Sequence, residues 1–169
     1  MTGSMPLAEP GLAATVASRP PRILVIGYGN PGRGDDGLGP AAACAIAGLG
    51  WPNVSTLDSY QLAIEDAVDI AAQDLVWFVD ATRSGEAPCA IERLSPAFDI
   101  TFTTHLLKPE ALLAIAAQQF GSSPDAFLLA IRGYEFEFIE GFSERAAANL
   151  ASALALLRRS IGRHIETSQ

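Results

Sequence analysis

Two short, uninterrupted apolar runs constrain this chain most. Ile23-Leu24-Val25-Ile26 closes on Gly27, and Leu75-Val76-Trp77-Phe78-Val79 closes on Asp80. A strand with one face in water alternates apolar and polar residues, whereas an unbroken run too short for a helix suits a strand covered on both faces, as in the parallel sheets of α/β proteins. The remaining text supplies the covers. An Ala-rich helical segment runs from Asp35 to about Leu49, a short strand follows at Asn53–Asp58, and further helices are expected at Ile64–Gln73, Pro109–Gln119 and Ser143–Arg163, the last with Ser143 as N-cap. Ala126–Ile131 reads as a strand, and Pro88–Leu94 as an antiparallel edge strand because only a short loop precedes it. Strand and helix therefore alternate, which predicts an α/β fold: three layers, doubly wound, with a mostly parallel sheet of about five strands and helices on both faces.

The chain has 169 residues, enough for one domain, which we place at 21–165 behind a flexible N-terminal tail at 1–20. With 11 Lys and Arg against 19 Asp and Glu the net charge is −8, a field that repels phosphate backbones and anionic lipid, so neither nucleic acid nor membrane is an expected partner. Lys108 is the sole lysine, which removes mechanisms built on a catalytic or phosphate-binding lysine. No apolar stretch is long enough to span a bilayer, and the first residues lack the pattern of a secretory signal. Cys44 and Cys89, without CxxC spacing, read as reduced core residues of a cytoplasmic protein.

Ligands of doubly wound folds bind beyond the C-terminal ends of the strands, which sorts the polar residues. Asn30, Asp35 and Asp36 follow the first strand, Asp58 ends the second and Asp80 the third, so all are expected along one crevice. Gly27-Tyr28-Gly29-Asn30-Pro31-Gly32 fits the dinucleotide pattern GxGxxG, but Pro31 removes an amide and two carboxylates stand where a pyrophosphate would lie. A non-catalytic nucleotide- or metabolite-binding module is thus the alternative reading. The Gly-Asn-Pro-Gly step is also similar to peptidyl-tRNA hydrolase, yet no histidine follows until His105. One of Asp35 and Asp36 is expected to cap the following helix; the other then repels its neighbour unless a cation offsets the charge. That carboxylate, Asp80 and His105 make a sensible ligand set for a borderline divalent ion with an open position. His164, near the C-terminus, is expected in solvent.

The stretch Ile23 to Asn30 followed by Asp35-Asp36-Gly37-Leu38-Gly39 resembles the signature of the nickel-iron hydrogenase maturation endopeptidases. In that resemblance Asp36, Asp80 and His105 match the three metal-binding positions, and Gly141-Phe142-Ser143 is similar to the family's step into the last helix. Ser59-Tyr60-Gln61-Leu62 departs from the Gly/Thr-rich loop of many members and is similar to the form found with soluble or bidirectional enzymes. The resemblance implies an aspartic-type endopeptidase, monomeric and cytoplasmic, that removes a C-terminal extension from the hydrogenase large-subunit precursor after nickel insertion. Nickel would come with the precursor, and no organic cofactor is expected. Asp36, Asp58, Asp80 and His105 are the candidate catalytic residues, with Asp58 or Asp35 as water-activating base and loop amides from Gly29 onward, or the metal, stabilising the oxyanion.

Overall fold

The computed structural model describes residues 19–98 and 107–166. Among these, β1 (Ile23–Tyr28), β2 (Val54–Ser59), β3 (Leu75–Thr82), β4 (Cys89–Leu94) and β5 (Asp125–Arg132) form one sheet in the order β2-β1-β3-β5-β4. All neighbours are parallel except β4, which runs antiparallel along β5 as the edge strand. Four helices complete the layers: α1 (Leu38–Ala47), α2 (Asp66–Ala71), α3 (Pro109–Phe120) and α4 (Glu144–Glu166).

Each apolar run divides its side chains between two cores. Ile23, Val25, Trp77 and Val79 face α1 and α4, where Leu38, Ala42, Ile46, Leu157 and Ile161 meet them. Leu24, Ile26, Val76 and Phe78 face α2 and α3, packing on Ala67, Ile70, Leu112 and Leu113. This two-sided burial is what the unbroken runs required, and the doubly wound α/β architecture follows from it. From β1 the chain crosses by α1 on one face to β2, then by α2 on the other face to β3. The C-terminal ends of β1 and β3 therefore lie at a switch point, where such folds open a crevice.

The segment expected as one helix from Asp35 is split. A 3-10 turn, Gly34–Gly37, precedes α1, and Pro40 falls in the first turn of α1, where its missing amide costs nothing. β3 is longer than its apolar run and includes Asp80 inside the ladder, opposite Ala130 of β5, so Asp80 does not terminate the strand. Of the N-terminal tail expected at 1–20, only Arg19 and Pro20 are among the described residues. Residues 1–18 lie outside the described residues, but Arg19 holds Asp74 with both guanidinium nitrogens at 2.7 and 2.8 Å, and the Arg22 amide adds a bond at 2.7 Å. These donors, led by Arg19, hold the Asp74 carboxyl below the usual carboxylate range. Cys44 is exposed on α1 and Cys89 half-buried on the edge strand, so neither is the core residue expected. No helix of the described residues is long and apolar enough to cross a membrane.

The helix and sheet meet through glycine. A Cβ on Gly27 would stand 2.0 Å from the Gly39 carbonyl oxygen, and one on Gly39 would stand 2.4 and 2.5 Å from the carbonyl oxygens of Tyr28 and Val79. Backbone touches backbone there, and neither partner is a flexible side chain that could yield. Gly27→Ala is expected to cost about 3 kcal/mol or more and to lower the melting temperature by about 10 °C, read by circular dichroism. A melting temperature unchanged within error would show that α1 can shift away from the strands.

A candidate active site at the ends of β1 and β3

Asp35 and Asp36 are sequence neighbours with opposite environments. Residues in a 3-10 turn rotate by about 120° from one to the next, so their side chains diverge. Asp35 is fully buried and points away from solvent. Its Oδ2 accepts the Tyr134 and Glu135 amides at 2.7 and 2.9 Å and the Ser143 hydroxyl at 2.8 Å, while Oδ1 accepts the Ser143 amide at 2.8 Å. Burial pushes this carboxyl up, but the backbone amides and the hydroxyl outweigh it and leave it below its ordinary value. The expectation that one of the pair caps its own helix is corrected: neither the 3-10 turn nor α1 has a side-chain cap. Asp35 instead braces the start of α4, where Ser143 acts as the expected cap, its hydroxyl accepting the Ala146 amide at 3.2 Å. With its oxygens taken and no access to water, Asp35 is no base for hydrolysis.

Asp36 is half-buried, and its Oδ2 accepts the Asn30 amide at 2.9 Å. Asp80 lies near it on β3. Burial pushes the Asp80 carboxyl up to about 6; the Ala81 amide, donating to Oδ1 at 2.8 Å, opposes the rise, the Asp36 charge adds to it, and the Tyr28 phenol lowers it. Tyr28, the last residue of β1, packs on the same core as Phe78. Its phenol is raised by burial first, then by the charge of Asp80, its contact with that carboxyl and the charge of Glu110 at the start of α3. The structure thus brings Asp36, Asp80 and Tyr28 together beside the N-terminal end of α3. Two carboxylates whose charges work against each other gain by taking a cation between them.

Asp58 is not part of this group. It is exposed on β2 in register with Gly27, whose partner on β3 is Val79, and that row faces α1 rather than α2 and α3. Asp58 and Asp80 therefore leave the sheet on opposite faces, which corrects the expectation of a single crevice and removes Asp58 as the base beside Asp80. His105 lies outside the described residues. Among the described residues no group of three His, Cys, Asp or Glu side chains could hold a metal ion. His164 is exposed, with Nδ1 at 2.7 Å from the Ser160 carbonyl oxygen.

The glycine loop has no free amides. Gly29 donates to Ser59 O at 3.0 Å, Gly32 to Asn30 Oδ1 at 2.9 Å, Arg33 to Asn30 O at 3.0 Å, Gly34 to Ile139 O at 2.9 Å, Asp35 to Glu135 O at 2.8 Å and Asp36 to Arg33 O at 3.2 Å. With the Asn30 amide on Asp36, no donor from Gly29 to Asp36 remains for a pyrophosphate, so the nucleotide-binding reading loses its chemistry. The same count corrects the oxyanion assignment, because amides already bonded within the protein cannot take up developing charge. Sequence reasoning missed Tyr28. Its position directly before the glycine loop was visible, but its approach to Asp80 depends on the register of β1 with β3.

No protein-family model matches the chain, and no curated protein matches it. Solved structures do. The nickel-iron hydrogenase maturation protease HycI of Thermococcus kodakarensis KOD1 is 27% identical, with 87% of this chain and 96% of that one covered at a TM-score of 0.67. The hydrogenase maturating endopeptidase HybD of E. coli is 25% identical over 82% of this chain and 93% of its own, at 0.62. A hydrogenase 2 maturation peptidase from Thaumarchaeota archaeon SCGC_AB-539-E09, 22% identical over 83% and 98%, repeats the fold at 0.61. The fold and this likeness are those of an α/β endopeptidase. Over most of its length the chain is similar to the nickel-iron hydrogenase maturation proteases.

Asp35 and Asp36 are separable by experiment. Asp35→Asn turns an amide group toward donors and is expected to cost about 2–4 kcal/mol, whereas Asp36→Asn gives up one bond worth about 1 kcal/mol. Because Asp35 is held below its unfolded value, its contribution is complete above about pH 4 and fades as acid protonates it in the folded state. In thermal melts the gap between wild type and Asp35→Asn should narrow below that pH. A gap that widened in acid would reverse the assignment.

Proposed function

We propose that this chain removes a C-terminal extension from a nickel-iron hydrogenase large-subunit precursor, and that Asp36, Asp80 and His105 face the precursor's nickel when it does so. The observation that carries the reading is the convergence of Asp36 and Asp80 at the switch point, the second with its carboxyl pushed up to about 6. A carboxylate pair of this kind is suited to a cation delivered from outside. Two features favour His105 as the third member. Leu107, two residues on, packs on the core that also holds Tyr28, and the charge of Glu110 in the first turn of α3 is felt at the Tyr28 phenol. The chain just after His105 is thereby tied to the neighbourhood of Asp80.

In this mechanism nickel belongs to the substrate. The precursor's metal centre, docked on the two carboxylates and the imidazole, would bring the scissile peptide beside them, so that cleavage waits on metal loading. Of the described side chains, Asp36 and Asp80 are the candidates to take a proton from attacking water. Asp36, bound to the Asn30 amide, is held in one orientation. The precursor is the partner, and the cytoplasm and the monomeric state follow from the same reading.

The test uses nickel-loaded and nickel-free precursor and follows the mass of the large subunit. Only the loaded form is expected to be shortened; equal cleavage of both would refute the checkpoint. His105→Ala and Asp80→Ala are each expected to reduce processing by about a thousandfold or more with melting temperatures within a few degrees of wild type. A variant that unfolds instead would mark its residue as structural.

A further inference from the structure

The loop between β5 and α4 is bound to the turn that carries Asp36. Asp35 takes the amides of Tyr134, Glu135 and Ser143, and the Gly34 amide donates to the Ile139 carbonyl oxygen at 2.9 Å. On this fixed backbone stand Phe138, 84% exposed, and Ile139, 52% exposed. The Arg33 guanidinium lies 5.0 Å from the centre of the Phe138 ring and holds it in place. The border is mixed in charge: Glu135, Glu137 and Glu140 are exposed beside the pair, and Arg83, Arg132 and Arg145 lie over the Phe136 and Tyr134 rings of the same loop. Two large apolar side chains in water on a restrained loop are the form of a binding anchor, because little freedom remains to be lost on docking.

We infer that Phe138 and Ile139 anchor the large-subunit precursor, entering an apolar pocket on that partner whose border carries both signs of charge. The inference rests on the peptidase function proposed above. The loop adjoins the turn of Asp36, so a protein that presents its metal centre to Asp36 and Asp80 also meets Phe138. Position beside the Asp36 turn selects the occupant, and the net charge of −8 works against a second copy of the chain taking its place.

The double variant Phe138→Ala/Ile139→Ala tests this with nickel-loaded precursor as substrate. Its KM is expected to rise about tenfold or more while kcat at saturating precursor and the melting temperature stay at wild-type values, since the two side chains touch solvent rather than core. Glu137→Lys/Glu140→Lys should raise KM as well and flatten its dependence on salt. If wild type cleaves the precursor and the double variant matches it in kcat/KM, the anchor is overturned and the peptidase function stands. If wild type leaves loaded precursor intact, both fall. Sedimentation that finds a wild-type dimer dissociated by Phe138→Ala/Ile139→Ala would assign the patch to self-association and overturn the inference.

Discussion

A single buried carboxylate organises the site end of this molecule. Asp35 accepts four hydrogen bonds from groups about a hundred residues later in the chain, and in doing so joins the turn after β1 to the entry of α4. An ionised group without water is costly unless its oxygens are filled, and here three amides and a hydroxyl fill them. Those amides gain as well, since two stand in a loop and one at a helix start, where no backbone partner is at hand. The consequence for chemistry is indirect. With Asp35 immobilised, the next residue of the 3-10 turn can only project toward the strand ends, and that residue is Asp36.

Glycine makes the second half of the arrangement possible. Gly27 and Gly39 let α1 begin directly on the carbonyl oxygens of β1 and β3, and Gly29, at φ 139°, passes so close to the Asp36 carbonyl that any side chain would collide with it. The turn, the helix start and the two strand ends are consequently one rigid block. β3 then outruns β1 by pairing with β5 as far as Thr82, which carries Asp80 to the level of that block. Asp36 and Asp80 meet because of backbone contacts made elsewhere, and neither is placed by a bond to the other.

Much of the fold was legible because burial on two faces leaves a mark in the strand itself: Ile23–Ile26 and Leu75–Val79 admit few other readings. The edge strand β4 was equally open to inspection from its short connection. What escaped reading depended on partners distant in sequence. Asp35 and Asp36 look interchangeable in the text, and only Tyr134, Glu135 and Ser143 tell them apart. Asp58 looks like Asp80, an acid at a strand end, but strand parity reverses with a register that local sequence does not encode: Asp58 shares a row with Gly27 and Val79 and so faces α1. The loop amides look free until the long-range partners Ser59, Glu135 and Ile139 are counted. The same long-range bonding that consumed the expected oxyanion donors is what fixes Phe138 and Ile139 at the surface.

The charge distribution gives the proposed checkpoint a physical basis. Asp80 lies in a setting that disfavours its ionised form, by burial first and then by the charge of Asp36, and the Tyr28 phenol beside it is raised by its own burial and by the charge of Asp80. The repulsion between the two carboxylates is relieved when a divalent cation arrives. A precursor lacking its metal would bring no such relief, and the acidic surface around the site, on a chain of net charge −8, offers a neutral peptide no compensating attraction. Discrimination between loaded and unloaded precursor would thus come from the repulsion that only the loaded form relieves.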